Sequence, residues 1–314
     1  MNNSPINILC ATDENYVPYC GVLLTSIFEN NKDRNVNVFI MVDKPLEKKS
    51  ISSFHTLEIK YNQTISYISV DKSFLEKFPL KGDGVSYWSI VTYYRLYAAE
   101  LLPKEVDKVL YLDCDTIVDG PLGELFDMDW TDFAVGTVSD MCVEWQEFYD
   151  RLHYDKSLGY FNAGVVFMNL DYWRNHGIGQ QCLDFLAGHY DWIVNNDQDV
   201  LNYVCRNEKL NLPLKYNYQI QFRMTYFFKD FSEQMKKEVL NTTQPIIIHY
   251  AAELKPWMVQ YYSYPYKEVW KKYKHISQWR YINDIYPPQK FCSTYIKRYI
   301  LWPLGIKLKR PDMI

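Results

Sequence analysis

The sequence predicts an α/β protein built on a doubly wound sheet. Three observations carry that prediction. Strand-like and helical runs alternate as βαβαβ over the first 70 residues, the pattern of parallel strands joined by helical crossovers. A short apolar run, Val109-Leu110-Tyr111-Leu112, ends abruptly at Asp113-Cys114-Asp115, as a buried strand does at the ligand-binding edge of such a sheet. The chain has 314 residues, 48% hydrophobic and 23% charged, enough to bury one sizeable core.

Ile6–Ala11 reads as the first strand, followed by a loop at Asp13-Glu14-Asn15-Tyr16. Val22, Leu23, Ile27 and Phe28 share one helical face between Tyr19 and Asn30. Asn37–Val42 is a second strand, with a turn at Asp43-Lys44-Pro45 and a helix over Glu47–Glu58. Thr64–Ile68 alternates as a third strand. Gly82-Asp83-Gly84 marks a loop, and a helical stretch from Ser89 to Leu102 ends at Pro103. Beyond Asp115, Phe133–Gly136, Ala163–Met168 and Pro245–Tyr250 read as strands; Tyr172–Tyr190 and Asp199–Val204 read as helices. Composition does not break before about residue 285, so residues 1–285 are expected to form one domain.

Residues 286–314 differ. Lys290, Lys297, Arg298, Lys307, Lys309 and Arg310 alternate with Phe291, Tyr295, Tyr299, Trp302 and aliphatic residues, with no acid between Lys290 and Arg310. Such a segment suits the surface of an anionic membrane; a helix packed on the core or a flexible tail is also compatible. It is too charged to span a bilayer, and no apolar run elsewhere reaches the length of about 20 residues that spanning needs. The net charge of −4 argues against general nucleic-acid binding. Seven cysteines without a Cys-x-x-Cys pair suggest neither a disulfide framework nor a zinc cage, and fit a reducing cytoplasm. Met-Asn-Asn-Ser-Pro does not read as a secretory leader.

Asp113 and Asp115 are hard oxygen donors one residue apart, suited to Mg²⁺ or Mn²⁺ and hence to a diphosphate; a solvated turn after the strand is the other reading. His249, at a strand end, offers a nitrogen ligand, which favours manganese, and Lys255 offers a charge for phosphate. Asp13 and Asn15 follow the first strand, where base and ribose would sit; a plain connecting loop is the other reading. There is no G-x-G-x-x-G, which disfavours a dinucleotide site. Arg95 is either a surface cation with a covered stem or one aimed at the site. Asn162 either bonds a sugar hydroxyl or is satisfied in the core, and Gly164 in the same strand implies a close approach. Asn196-Asp197-Gln198-Asp199 either caps a helix or places Asp197 and Gln198 against a sugar ring.

This ordered set resembles glycosyltransferase family 8, whose bacterial members include lipopolysaccharide galactosyl- and glucosyltransferases. The resemblance runs over residues 6 to 260, through Ala11-Thr12-Asp13, Asp113-Cys114-Asp115, Phe161-Asn162-Ala163-Gly164, Asp197-Gln198-Asp199 and His249…Lys255-Pro256-Trp257. It implies a GT-A fold, a single Rossmann-like nucleotide-sugar domain with a mixed central sheet. It implies a UDP-hexose donor, Mn²⁺ (Mg²⁺ as the alternative) and retention of anomeric configuration. Asp13 and Asn15 would contact uridine; Asp113, Asp115 and His249 would hold the metal. Arg95 and Lys255 would face sugar or diphosphate, and Asp140, Asn162, Asp197 and Gln198 the sugar and acceptor. Ala252 stands where bacterial members commonly have Gly, which strains the diphosphate contact if the backbone there needs φ > 0.

The expected activity is therefore transfer of galactose or glucose to a glycan or glycolipid hydroxyl through an α-linkage. The enzyme would lie at the inner face of the plasma membrane, in lipopolysaccharide or other surface-glycan synthesis. Two routes to retention stay open: a covalent adduct on Asp197, or attack from the face that UDP leaves, with Gln198 positioning. The second is preferred. A glycoside hydrolase, a nucleotidyltransferase and a catalytically weak membrane-associated carbohydrate-binding protein of the same fold are the rivals. The loops Asp140–Tyr160 and Leu214–Asp230 are the expected acceptor walls.

Overall fold

The computed structural model describes residues 4–71, 73, 75–78, 90–251, 255–259 and 264–285. Its strands are β1 (Ile6–Ala11), β2 (Val36–Val42), β3 (Thr64–Ser69), β4 (Lys108–Leu112), β5 (Thr116–Val118), β6 (Val135–Ser139), β7 (Phe161–Asn169), β8 (Lys209–Asn211), β9 (Tyr218–Gln219) and β10 (Ile247–His249). Seven of them form one mixed sheet in the order β3-β2-β1-β4-β7-β6-β8. β3, β2, β1 and β4 run parallel; β7 is antiparallel to both β4 and β6.

Every residue of β1 and β7 is buried, as expected when both sheet faces are covered. Side chains alternate between the faces. Ile6, Ile8 and Cys10 pack with Val22, Leu23 and Phe54 from the Val17–Asn30 and Lys48–Tyr61 helices. Leu9, Val109 and Tyr111 pack with Trp173, Cys182 and Leu186 from the helices Leu170–His176 and Ile178–Gly188. From β1 the chain crosses outward to β2 on one side, while β4 lies on the other. That reversal opens a crevice at the carboxyl ends of β1 and β4.

A second sheet, β5-β10-β9, completes the crevice. β10 runs antiparallel to β5, and its register sets His249 opposite Thr116, next to Asp115. The Tyr250 N–H donates to the Asp115 carbonyl at 3.0 Å, fixing that register.

Several predicted boundaries move. Ile90–Tyr97 is a 3-10 helix, and only Ala98–Leu101 is α-helical. The run of β-branched and aromatic residues there holds few strong helix formers. The long helix expected over Tyr172–Tyr190 is two helices, broken at Gly177, whose φ of 62° closes the first one. The strand expected at Phe133–Gly136 lies two residues later. Ala252 and residues 286–314 fall outside the described residues. No described helix is long and apolar enough to cross a membrane.

Candidate active site

The end of β4 and the end of β10 meet at a group of three donors. Asp113, Asp115 and His249 each place one ligand atom within 4.8 Å of the others. Gly164 on β7 makes room for them. A Cβ there would fall on His249 Cε1, and would lie 2.8 Å from Asp113 Oδ2. The close approach expected from a glycine in this strand is therefore to the acid–histidine cluster itself.

His249 is buried, and its Nδ1 lies 3.0 Å from Asn217 Oδ1. Asn217 commits its Nδ2 to donate to Asn162 Oδ1 at 3.0 Å, so its oxygen accepts from His249 Nδ1–H. That tautomer leaves a lone pair on Nε2, which lies 3.4 Å from Asp115 Oδ1. Asp115 Oδ1 is buried with no hydrogen bond, although buried polar atoms normally have partners. Burial would raise the Asp115 pKa, but the Lys255 ammonium outweighs it and holds this carboxyl well below the usual range. An ionised carboxylate with an unsatisfied oxygen, beside a second carboxylate and an imidazole lone pair, fits a Mn²⁺ or Mg²⁺ ion.

Arg95 is almost fully buried, so of its two readings the inward one holds. Its guanidinium donates to Asp113 Oδ1 at 2.8 Å and to the Ala163 carbonyl. Its Nε stands 3.1 Å from Asp197 Oδ2. The Tyr111 hydroxyl also donates to Asp113 Oδ1, at 2.9 Å. One Asp113 oxygen is thereby occupied, which leaves Oδ2 for the cluster. Asp197 Oδ1 accepts from the Thr92 hydroxyl. Burial pushes the Asp197 carboxyl up to about 6, opposed by Arg95 and Thr92.

A chain of amides continues from there. Gln198 Oε1 accepts from the Ala163 N–H at 3.0 Å and from Asn162 Nδ2 at 3.3 Å, while its Nε2 donates to Asp140 Oδ2 at 3.3 Å. Asn162 Nδ2 donates to the same Asp140 oxygen at 3.0 Å. Burial raises the Asp140 pKa, against the hydrogen bonds from Asn162 and the Cys142 N–H. Asn162 is thus satisfied by protein partners, and it links Asp140 to Asn217 and so to His249. Asn196 precedes the Asp197–Val204 helix but makes no side-chain cap, having φ 50° and ψ −127°. The capping reading fails for that residue.

Asp113, Asp115, His249, Lys255, Arg95, Asp197, Gln198, Asn162 and Asp140 are therefore one connected network. Among the described residues, no hydrogen bond joins Asp13 or Asn15 to it. Asp13 Oδ1 accepts from the Tyr16 N–H at 3.1 Å at the start of the first helix, and Asn15 is exposed. Tyr16 links the two regions electrostatically, because burial, Asp115 and, more weakly, Asp13 all raise its hydroxyl pKa. Its ring meets Trp257 edge-on at 6.2 Å, and Trp257 stacks on Tyr19 at 3.8 Å. The sequence reading missed Asn217, Tyr111 and Thr92. None has a periodic or motif signal; each is defined only by what it bonds.

A family model described as Glycosyl transferase family 8 matches residues 7–260. A lipopolysaccharide 1,2-glucosyltransferase of Escherichia coli K12 is 29% identical over 304 residues, spanning 94% of this chain and 84% of the relative. A lipopolysaccharide 1,3-galactosyltransferase of Salmonella typhimurium is 26% identical, spanning 94% of this chain and 85% of its own. The structure of the galactosyltransferase LgtC, solved with donor and acceptor sugar analogs, matches with a TM-score of 0.76 and 25% identity, over 92% of this chain and 99% of that one.

Proposed function

The chain belongs to glycosyl transferase family 8 and has the GT-A fold, and from that premise we propose that it moves galactose or glucose from a UDP-hexose to a glycan or glycolipid hydroxyl, with retention. The observation that carries this reading is the Asp113-Asp115-His249 cluster at the β1/β4 crevice, with an orphaned carboxylate oxygen and two cations beside it. A glycoside hydrolase does not need a cation-binding Asp pair or a phosphate-directed Lys. The kinship to lipopolysaccharide glucosyl- and galactosyltransferases supports a hexose donor and a surface-glycan product.

Asp113, Asp115 and His249 would hold Mn²⁺ (or Mg²⁺). When bound, the ion supplies Lewis-acid stabilisation of the diphosphate leaving group. Lys255 adds positive charge at the same oxygens. Arg95 orients Asp113 and Asp197 from beneath the sugar. The bond from the anomeric carbon to the diphosphate oxygen breaks, and its electron pair leaves with UDP. The acceptor oxygen attacks the same face, and its proton passes to the departing diphosphate. Asp197 Oδ1 accepts from the Thr92 hydroxyl, while Oδ2 lies 3.1 Å from Arg95 Nε without a hydrogen bond, so a covalent adduct on Asp197 is the alternative route. Gln198 is tied on both sides and acts as a positioning group. Asp13 and Asn15 would meet the uridine, and Ala252 the diphosphate.

The test is the anomeric configuration of the product, read by proton NMR during transfer from UDP-galactose or UDP-glucose. An α-product is expected. A β-product, or a glycosyl adduct trapped on Asp197, overturns the same-face route. Residues 286–314 would bind an anionic membrane from the cytoplasmic side through their cations and aromatics. Co-sedimentation with phosphatidylglycerol vesicles, lost at high salt, is expected; equal binding to neutral vesicles contradicts it.

A further inference from the structure

The strip that carries Lys255 belongs to neither sheet. Lys255, Pro256, Trp257, Met258 and Val259 follow β10 and lie outside both strand orders. The strip opens with a turn, in which the Met258 N–H donates to the Lys255 carbonyl at 3.0 Å. Lys255 is buried, and its Nζ donates to Asp115 Oδ2 and to the Tyr250 carbonyl, the latter at 3.1 Å. A lysine ammonium is a point charge on a flexible four-carbon stem. Where it acts therefore depends on how firmly its backbone is placed.

That placement comes from much later in the chain. Ile285 pairs in parallel with Met258. Its N–H donates to the Trp257 carbonyl at 3.0 Å, and its carbonyl accepts from the Val259 N–H at 2.8 Å. Asp284 secures the same point through the Lys267–Ile276 helix. Its carboxylate lies 3.5 Å from Lys267 Nζ and 3.3 Å from Lys274 Nζ, and Lys267 Nζ donates to the Met258 carbonyl at 2.8 Å. Trp257, Met258 and Val259 are thus each bonded to this corner, while the Trp257 ring stacks on Tyr19 from the other direction. Ile285 is 44% exposed, so it adds little to the core, and ion pairs as open as those of Asp284 add little to stability. What the two residues do supply is a fixed position for the strip.

We propose that Asp284 and Ile285 form a clasp on the Lys255–Val259 strip and are positioning residues for the Lys255 ammonium at the nucleotide diphosphate. This rests on the transferase reading, which brings a diphosphate to Lys255. The clasp acts on nucleotide affinity rather than on the ion. Asp113, Asp115 and His249 are set by the pairing of β4, β5 and β10, in which Asp284 and Ile285 take no part. A loosened clasp therefore weakens UDP while leaving Mn²⁺ its three donors.

The experiment is calorimetric titration of UDP into the full chain with Mn²⁺ present. Lys255→Met sets the ceiling, a loss of at least about tenfold in UDP affinity. Ile285→Pro, which has no N–H to donate to Trp257, should cost about fivefold, and Ile285→Val should cost nothing. Asp284→Ala should cost about two- to threefold, and it decides the matter alone if Ile285→Pro does not fold. In the Lys255→Met background Ile285→Pro should add no further loss, because a residue that acts through Lys255 is silent once that charge is gone. Mn²⁺ affinity without nucleotide, read by electron paramagnetic resonance, should not fall in either clasp variant. Wild-type UDP affinity in the folded clasp variants overturns the proposal. So does a loss that persists in full beside Lys255→Met, or one matched by a loss of Mn²⁺ alone. Absence of Mn²⁺-dependent UDP binding in the wild type refutes the transferase reading and the clasp together, whereas failure confined to the variants refutes only the clasp.

Discussion

Adding one methyl group at Gly164 tests the geometry of the cluster without replacing any of its three donors. An alanine Cβ would fall on His249 Cε1, 2.9 Å from His249 Nε2 and 2.8 Å from Asp113 Oδ2. Ordinary contacts between heavy atoms are about 3.5–4.0 Å, so the imidazole or the carboxylate must retreat by about 1 Å. Retreat is difficult for His249, which is buried, strand-bound and fixed through Nδ1 to Asn217. It is difficult for Asp113, whose Oδ1 is held by Arg95 and Tyr111. Metal–ligand distances tolerate only about 0.2 Å, five times less than the forced shift. Gly164→Ala should therefore weaken Mn²⁺ binding by at least about tenfold and lower kcat by about 100-fold. The overpacking cost to stability is about 1–3 kcal/mol, a shift of several degrees in Tm. Free Mn²⁺ measured by electron paramagnetic resonance reads the affinity without any turnover. Wild-type affinity in a folded Gly164→Ala variant would refute the reasoning, because it would show that the ion does not sit between Asp113 and His249.

Two other variants probe the supports. Asn217→Leu removes the acceptor for His249 Nδ1–H and frees the imidazole to take the other tautomer; Mn²⁺ affinity should fall about 10- to 100-fold, and an unchanged Mn²⁺ titration would contradict the assignment. Arg151→Met strips the partner from fully buried Asp199, which also accepts from Tyr160 and from the Val194 and Asn195 N–H groups. The loss should be about 3 kcal/mol in denaturant unfolding, with reduced turnover through the helix that carries Asp197 and Gln198; wild-type stability would show that the ion pair is dispensable.

Some of this site was legible in the sequence and some was not, for physical reasons. Asp113 and Asp115 alone are a weak signal, since two acids after a strand also make a solvated turn; the other polar elements in the same order, His249 and Lys255 above all, gave them weight. Gly164 was readable because a glycine inside a buried strand implies a neighbour that needs the space. Arg95 had two readings, and only packing decided between them. Its lone charge in an apolar run is equally compatible with snorkelling to solvent. Of the small sheet only β10 was legible, inside Pro245–Tyr250; β5 and β9 are three and two residues long, too short to carry a period. The Lys267–Ile276 helix was legible, with Val269, Trp270, Tyr273 and Ile276 on one face among charged residues, yet it is absent from the expected elements. Asn217 is the clearest limit. Its role comes entirely from two long-range bonds, to Asn162 and His249.

The most direct test of the central claim is UDP release from UDP-galactose, UDP-glucose and related UDP-sugars, with and without Mn²⁺, in wild type and Asp115→Asn. Release from one UDP-hexose that requires Mn²⁺ and is lost in the variant is expected. Metal-independent release, or release that survives Asp115→Asn, would contradict it.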